Sequence, residues 1–277
     1  VTVDRSLRDA RHTRVDLDTL GGSIARVAGL QRRVELTTGL AGGGWQRCSD
    51  LLAQPRRLGE WRARLARWLR QEYGDADART TASYVMSWYL RVPAHVGALL
   101  LHHERRVPSL RPEELAVRTA GRGRPEPDGI AVLGGSFYCL PFDPGATRPE
   151  ATVVADERAL AAVLRARFTA HAARFVRAYA PISPLGTRML WAGATDALDA
   201  CLWWAGLDGG DEGAGVADAA LVLQSRFPPL TSASTLRMET GEDDRRVWAR
   251  RRESCCFTYL LPGRTECDAC PRRSPKP

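Results

Sequence analysis

Apolar residues recur at helical spacing over most of the chain. Between Pro55 and Tyr73, Leu58, Trp61, Leu65, Trp68 and Leu69 fall on one stripe with arginines between them. That is the 3.6-residue signature of an amphipathic helix, and Gly74 is placed to end it. Asp77 is a cap for an apolar helix over Ala78–Leu90, and Pro93 should separate it from a further helix over His95–Glu104. A short helix is expected over Leu110–Arg118, with Pro112 and two glutamates in its first turn. Asp156 opens a long helix to Tyr179, its stripe made of Leu160, Val163, Leu164, Phe168, Phe175 and Tyr179. Ser183-Pro184 opens another that runs to about Trp204. Val216–Phe227 is the last, stopped by Pro228-Pro229.

Strand patterning is confined to the middle. Ile130–Leu133, Gly134-Gly135 and Ser136–Leu140 read as a β-hairpin, after a Gly/Pro-rich loop over Gly121–Gly129 and before an Asp143-Pro144-Gly145 turn. Gly206–Gly215 is acidic and glycine-rich and reads as a connector. The expected fold is mainly α with a small central β-hairpin, an α+β arrangement. Its organisation would be an N-terminal subdomain over 1–150, a helical subdomain over 151–250 and a cysteine-bearing tail over 251–277.

Hydrophobic residues make up 44% of the 277 and charged ones 26%, the balance of a soluble globular chain. Ser83–Leu101 is nearly apolar but holds Arg91 and Pro93, so no membrane span is expected. No charged-then-apolar leader is read at the start, and a cytoplasmic setting is expected. The formal charge is +8, which suits an acidic redox partner or peripheral association with an anionic membrane. Nucleic acid is not expected, because no helix-turn-helix, zinc-finger helix or RNA-binding signature accompanies the charge. Lys276 is the single lysine, so the arginine count reflects a compositional bias. Gly206-Leu-Asp-Gly209-Gly210 is no dinucleotide fingerprint, since no strand precedes it and its loop is acidic. There is no P-loop either. Any electrons this chain handles should come from another molecule.

The candidate chemistry sits at the end of the chain. Cys255 and Cys256 are adjacent, and Cys267 and Cys270 follow, giving C-C-x10-C-x2-C. Thiolates are soft donors that favour zinc or an iron–sulfur cluster, and C-x2-C is a common bidentate clip. Phe257–Leu261 is apolar and reads as a shielding strand, with a turn at Pro262-Gly263. Adjacent side chains in an extended chain point to opposite sides, so both vicinal thiols can ligate only if the backbone bends or the centre is larger than one ion. An iron–sulfur cluster, structural zinc, and disulfides or free thiols all remain open on spacing alone. Cys48, Cys139 and Cys201 read as small core residues.

The run from Arg251-Arg252 through Cys255-Cys256, Pro262-Gly263, Cys267, Cys270 and Pro271 resembles the C-terminal signature of FhuF-type ferric siderophore reductases. Ser183–Trp191 is loosely similar to a helix opening in the same family. The resemblance implies that Cys255, Cys256, Cys267 and Cys270 ligate a [2Fe–2S] cluster. It also implies single-electron reduction of a ferric siderophore, of the hydroxamate type, recharged by an external donor such as a ferredoxin or flavin reductase. Asp268 departs from the pattern, where glycine is more usual. Beside this motif, Arg245, Arg246, Arg250, Arg251 and Arg252 could offset thiolate charge or dock an acidic donor, against a solvated charged helix as the plainer reading. His102-His103 reads as a solvated helix end. His171 lies on an apolar stripe and is either a satisfied core histidine or a substrate-pocket residue.

Overall fold

A computed structural model describes residues 18–241 and 244–273. The helices are α1 (Leu20–Leu30), α2 (Cys48–Ala53), α3 (Pro55–Tyr73), α4 (Ala78–Glu104), α5 (Glu157–Tyr179), α6 (Thr187–Gly209) and α7 (Glu212–Val222). Short strands lie between and after them: β1 (Glu35–Thr37), β2 (Trp45–Arg47), β3 (Arg106–Pro108), β4 (Leu115–Thr119), β5 (Pro127–Val132), β6 (Phe137–Cys139), β7 (Ala151–Val153), β8 (Leu236–Thr240) and β9 (Arg246–Arg250). The fold is mainly α with small sheets, as the periodicity predicts.

Helix α4 is the axis of the molecule. Asp77 caps it, accepting hydrogen bonds from the Arg79 and Thr80 amides, and nearly every residue from Thr80 to Leu101 is buried. Pro93 does not divide it; the helix runs through without a break. A proline removes one helical hydrogen bond, and burial of the surrounding turns on every side outweighs that loss. Helices α3, α5 and α6 pack around α4, and one apolar cluster extends from Leu20 to Leu261.

The other end assignments are mixed. Gly74 ends α3 in the left-handed conformation, and Asp156 caps α5 through the Ala159 amide. Helix α6 starts at Thr187, with Gly186 rather than Ser183 at its N-cap. Leu110–Arg118 is not a helix: one 3-10 turn at Pro112–Glu114 feeds straight into β4. Nor is Gly206–Gly215 a connector, because α6 extends to Gly209 and α7 begins at Glu212. Its glycines serve packing: a Cβ on Gly206 would lie 2.6 Å from Gly215 Cα, so the two helices meet backbone to backbone.

The central hairpin does not form, although both of its strands do. Strand β5 pairs antiparallel with β4 and parallel with β1, while β6 pairs with β3 and β7 in another sheet. Both edges of each strand are already taken, which leaves none for the hairpin pairing. Gly134 sits in the crossover, where a Cβ would meet the Glu114 carboxyl at 2.7 Å. Strands β8 and β9 form a separate antiparallel ribbon that leads into the cysteine tail. Among the described residues no helix is long and apolar enough to cross a membrane.

Candidate metal centre

The tail is held where α4 and α6 run side by side. Asp196, buried on α6, accepts hydrogen bonds from the Glu253 amide (2.9 Å), the Ser254 amide (2.8 Å) and the Ser254 hydroxyl (2.5 Å). From α4, the Ser83 hydroxyl donates to the Cys255 carbonyl at 2.8 Å and the Thr80 hydroxyl to the Phe257 carbonyl at 2.9 Å. Tyr84 and Thr258 hydroxyls meet at 3.1 Å, and Thr258 Oγ1 reaches Cys256 Sγ at 3.1 Å. These bonds bend the backbone. Phe257 takes φ +57°, and Thr258–Leu260 is a 3-10 turn. The expected shielding strand over Phe257–Leu261 is therefore replaced by a tight turn. That bend is what two adjacent cysteines need to face one centre.

The second pair comes back on a turn of its own. The Cys270 amide bonds the Cys267 carbonyl at 3.0 Å, and the Arg252 amide bonds the Ala269 carbonyl at 2.9 Å. Cys256 and Cys267 end up with sulfurs 3.7 Å apart. Two thiolates on one tetrahedral metal stand about 3.8 Å apart when each metal–sulfur bond is ~2.3 Å, so this pair already has a ligating separation. Cys255 and Cys270 are buried, whereas Cys256 and Cys267 are half-buried. Among the described residues no three His, Cys, Asp or Glu side chains are placed to hold a metal ion. Cys256 and Cys267 are the pair whose sulfurs lie within ligating distance of each other. No disulfide joins any of the seven cysteines.

Electrostatics support an anionic centre. Arg252 faces the cysteines with its Nε 3.6 Å from Asp196. Burial works against its guanidinium, but Asp196, then Cys256 and Cys267, outweigh that and hold its pKa above the ordinary value. Burial pushes the Cys255 thiol up. Cys256 is held down, chiefly by its hydrogen bond with Cys267, and Cys267 is pushed up by the same bond. That hydrogen bond, beside the Arg252 charge, favours the thiolate form at Cys256.

The five arginines do not act as one group. Arg250 points inward, its guanidinium 2.7 Å from the Asp196 carbonyl and 4.0 Å from the Asp199 carboxylate. Arg252 points inward as described. Arg245 and Arg246 are exposed at the β8–β9 ribbon, and exposed Arg251 bonds the Pro271 carbonyl. The predicted charged helix here is strand β9.

His171 is a core residue rather than a pocket one. Its Nε2 meets the Tyr89 hydroxyl at 3.0 Å and its Nδ1 the Leu110 carbonyl at 2.8 Å, with 1% of its surface exposed. Burial drives its pKa down to about 4, so it stays neutral. His102 is likewise no solvated end, since Nδ1 bonds the Asp218 carboxylate at 2.7 Å. Cys48, Cys139 and Cys201 are buried in the core; burial lifts Cys48 and Cys201 to about 12.

Sequence reasoning did not find Asp196, Asp199, Ser83 or Thr80. Asp199 accepts from the Ser234 and Thr235 hydroxyls and from the Thr235 amide, and so fixes the approach to β8. The one available signal was two aspartates on the otherwise apolar run of α6, where an unpaired carboxylate is costly.

Residues 252–272 match the FhuF 2Fe-2S C-terminal domain. No curated protein matches the chain. The tail is thus an FhuF-type domain, and its cofactor is a [2Fe–2S] cluster.

Proposed function

We propose, from this FhuF-type 2Fe–2S tail, that the chain is a ferric siderophore reductase. The observation that carries the reading is the tail itself: a matched cluster domain whose thiols are fastened to α4 and α6 by Asp196, Ser83 and Thr80. Cys255, Cys256, Cys267 and Cys270 would hold the cluster, which when bound supplies a one-electron donor able to turn chelated Fe(III) into Fe(II). Oxygen chelators grip hard ferric iron far more tightly than ferrous iron, so one electron is enough to loosen the metal. No nucleophile or acid–base pair is needed.

The surrounding residues tune and protect that chemistry. Arg252, kept charged by Asp196, offsets thiolate charge and favours the reduced state. Exposed Arg245, Arg246 and Arg251 offer an acidic donor a positive face. Thr258, donating to Cys256, does what hydrogen bonds to cluster sulfurs generally do and raises the potential. The reaction belongs in the cytoplasm, where thiols stay reduced, and a hydroxamate chelate is the expected substrate.

The test is anaerobic. Protein reduced in full and mixed with a ferric trihydroxamate should lose its reduced-state spectrum, and a ferrous-specific dye should capture iron. Absence of ferrous product would leave an electron carrier with no substrate of its own.

A further inference from the structure

Beside the cysteine tail lies a cavity of about 500 Å³, within the usual range for small-molecule sites. Its walls come from the segment after α1, from α4, from the β4–β5 turn and from α6. On α4, Trp88, Arg91, Val92 and His95 recur at helical spacing and present one face to it. Cys201 and Trp204 do the same from α6.

The cavity adjoins the cysteines through a chain of side-chain contacts. Thr258 reaches Cys256 Sγ, Tyr84 meets Thr258, and the Tyr84 ring lies 5.6 Å from the ring of Trp88, a cavity wall. Tyr84 and Trp88 are four residues apart on α4, about 6 Å of helix. Asp199 and Trp204 on α6 are separated by about 8 Å in the same sense. A ligand here is therefore one to two helical turns from the tail.

Three arginines and three carboxylates line this cavity, but the carboxylates are engaged with arginines off its wall, Glu126 with Arg124 at 3.9 Å, and Arg32 is exposed. Glu35 and Asp128 are both committed to Arg118, and Arg33 is committed to Asp208. Arg91 has no hydrogen bond or ion pair among the described residues; its guanidinium lies 5.1 Å from the Trp204 ring centroid. Burial, the largest influence, pulls its pKa down to about 10, which still leaves it charged at neutral pH. His95 is 4% exposed and its Nε2 has no partner. Arg91 is half-buried without an ion pair and the His95 ring nitrogen is buried without a partner, so two polar groups on this wall lack a protein partner. Together, above an aromatic floor, they are what an anionic, oxygen-rich ligand with apolar flanks would satisfy.

We propose that this cavity seats the ferric chelate and selects chelates of net negative charge, with Arg91 as the residue that reads the charge. The proposal rests on the reductase reading for the identity of its ligand. It narrows the substrate class from ferric siderophores at large to those with a pendant carboxylate or another anionic periphery. A cationic chelate would meet Arg91 with like charge.

The test separates binding from reduction by using gallium(III), which has the charge and size of ferric iron but takes no electron here. Two gallium trihydroxamates are titrated calorimetrically into the holoprotein, identical except for a pendant carboxylate or a pendant amine. The carboxylate form should bind at least ten-fold more tightly at low salt, and the preference should shrink as salt is added. Arg91→Gln should abolish the preference by weakening the carboxylate form and tightening the amine form, while Arg91→Lys should retain most of it. Arg91 has no protein partner to orphan, so the exchange should leave the fold intact, which the unchanged cluster spectrum would report. Equal affinities for the two forms, or a carboxylate form indifferent to Arg91→Gln, would overturn the proposal. The corresponding ferric pair distinguishes the two failures. Binding with the predicted preference but no ferrous product removes the reductase reading and keeps the anion site. Ferrous product formed equally fast from both chelates, in wild type and Arg91→Gln alike, keeps the reductase and removes the site.

Discussion

The two halves of the cysteine tail are anchored in different ways. Ser254–Thr258 is bonded to the helical body: to Asp196 on α6 and to Ser83, Thr80 and Tyr84 on α4. Among the described residues the hydrogen bonds of Cys267–Pro271 all end within the tail, on Arg251, Arg252, Arg273, on Cys256 of the first limb and on one another. One limb is positioned by the fold and the other by its own turn. The body presents the first two thiols, and the metal centre must do part of the work of holding the last two. Metal binding and local folding are coupled in such a limb.

The largest effect should come from the thiols themselves. Cys→Ser at Cys255, Cys256, Cys267 or Cys270 should each remove most of the visible absorption and the bound iron of freshly isolated protein. Four variants with unaltered spectra would refute the ligand assignment.

Removal of the cluster by a chelator should then separate the limbs. Hydrogen exchange should rise sharply at the Cys270 amide and stay low at the Ser254 amide, which Asp196 still holds. Equal loss of protection at both would break the comparison.

Next is the anchor. Asp196→Ala strands Arg252 and the Ser254 donors in a buried site, and should cost about 3–5 kcal/mol in denaturant unfolding, the scale of a broken buried ion pair. Asp268 is its counterpart on the other limb and is fully exposed. Asp268→Ala should leave the unfolding midpoint where it was.

Acid should act on the body rather than on either limb. His95 and His171 are both held near pKa 4 by burial, against an ordinary 6.5. The unfolded chain therefore binds more protons between those values. Stability is complete above pH 6.5 and is lost as pH falls towards 4, by roughly 3 kcal/mol per histidine. In a pH series of unfolding curves, cluster release should follow global unfolding; release well before it would show that the first limb is not tied to the body.

The smallest effect belongs to the single hydroxyls. Ser83→Ala and Thr80→Val should each cost about 1 kcal/mol, the usual net worth of one buried hydrogen bond, and Ser83→Ala should loosen the Cys255 end selectively.

This asymmetry also marks what the sequence can convey. The caps at Asp77 and Asp156, the left-handed Gly74 and the stripes of α3 and α5 are local devices, legible from a few residues each. The four cysteines are legible because their order and spacing are the motif. The misread elements depend on partners far along the chain. Strand β5 finds β1 and β4 instead of β6, and no local pattern shows which edges are free. Pro93 stays inside α4 because other helices bury that turn. His171 gained its two partners from Tyr89 and Leu110, some sixty to eighty residues away. The Asp196 anchor was hidden for the same reason: an aspartate in an apolar helix shows that a partner must exist, but not that it is the cysteine tail.

The most direct test is to determine iron, zinc and acid-labile sulfide on anaerobically purified protein, with electron paramagnetic resonance after one-electron reduction. Iron and sulfide in equal amounts, negligible zinc and a spin-half signal that appears only on reduction are the expected result. Colourless protein loaded with zinc and devoid of sulfide would contradict the account at its root.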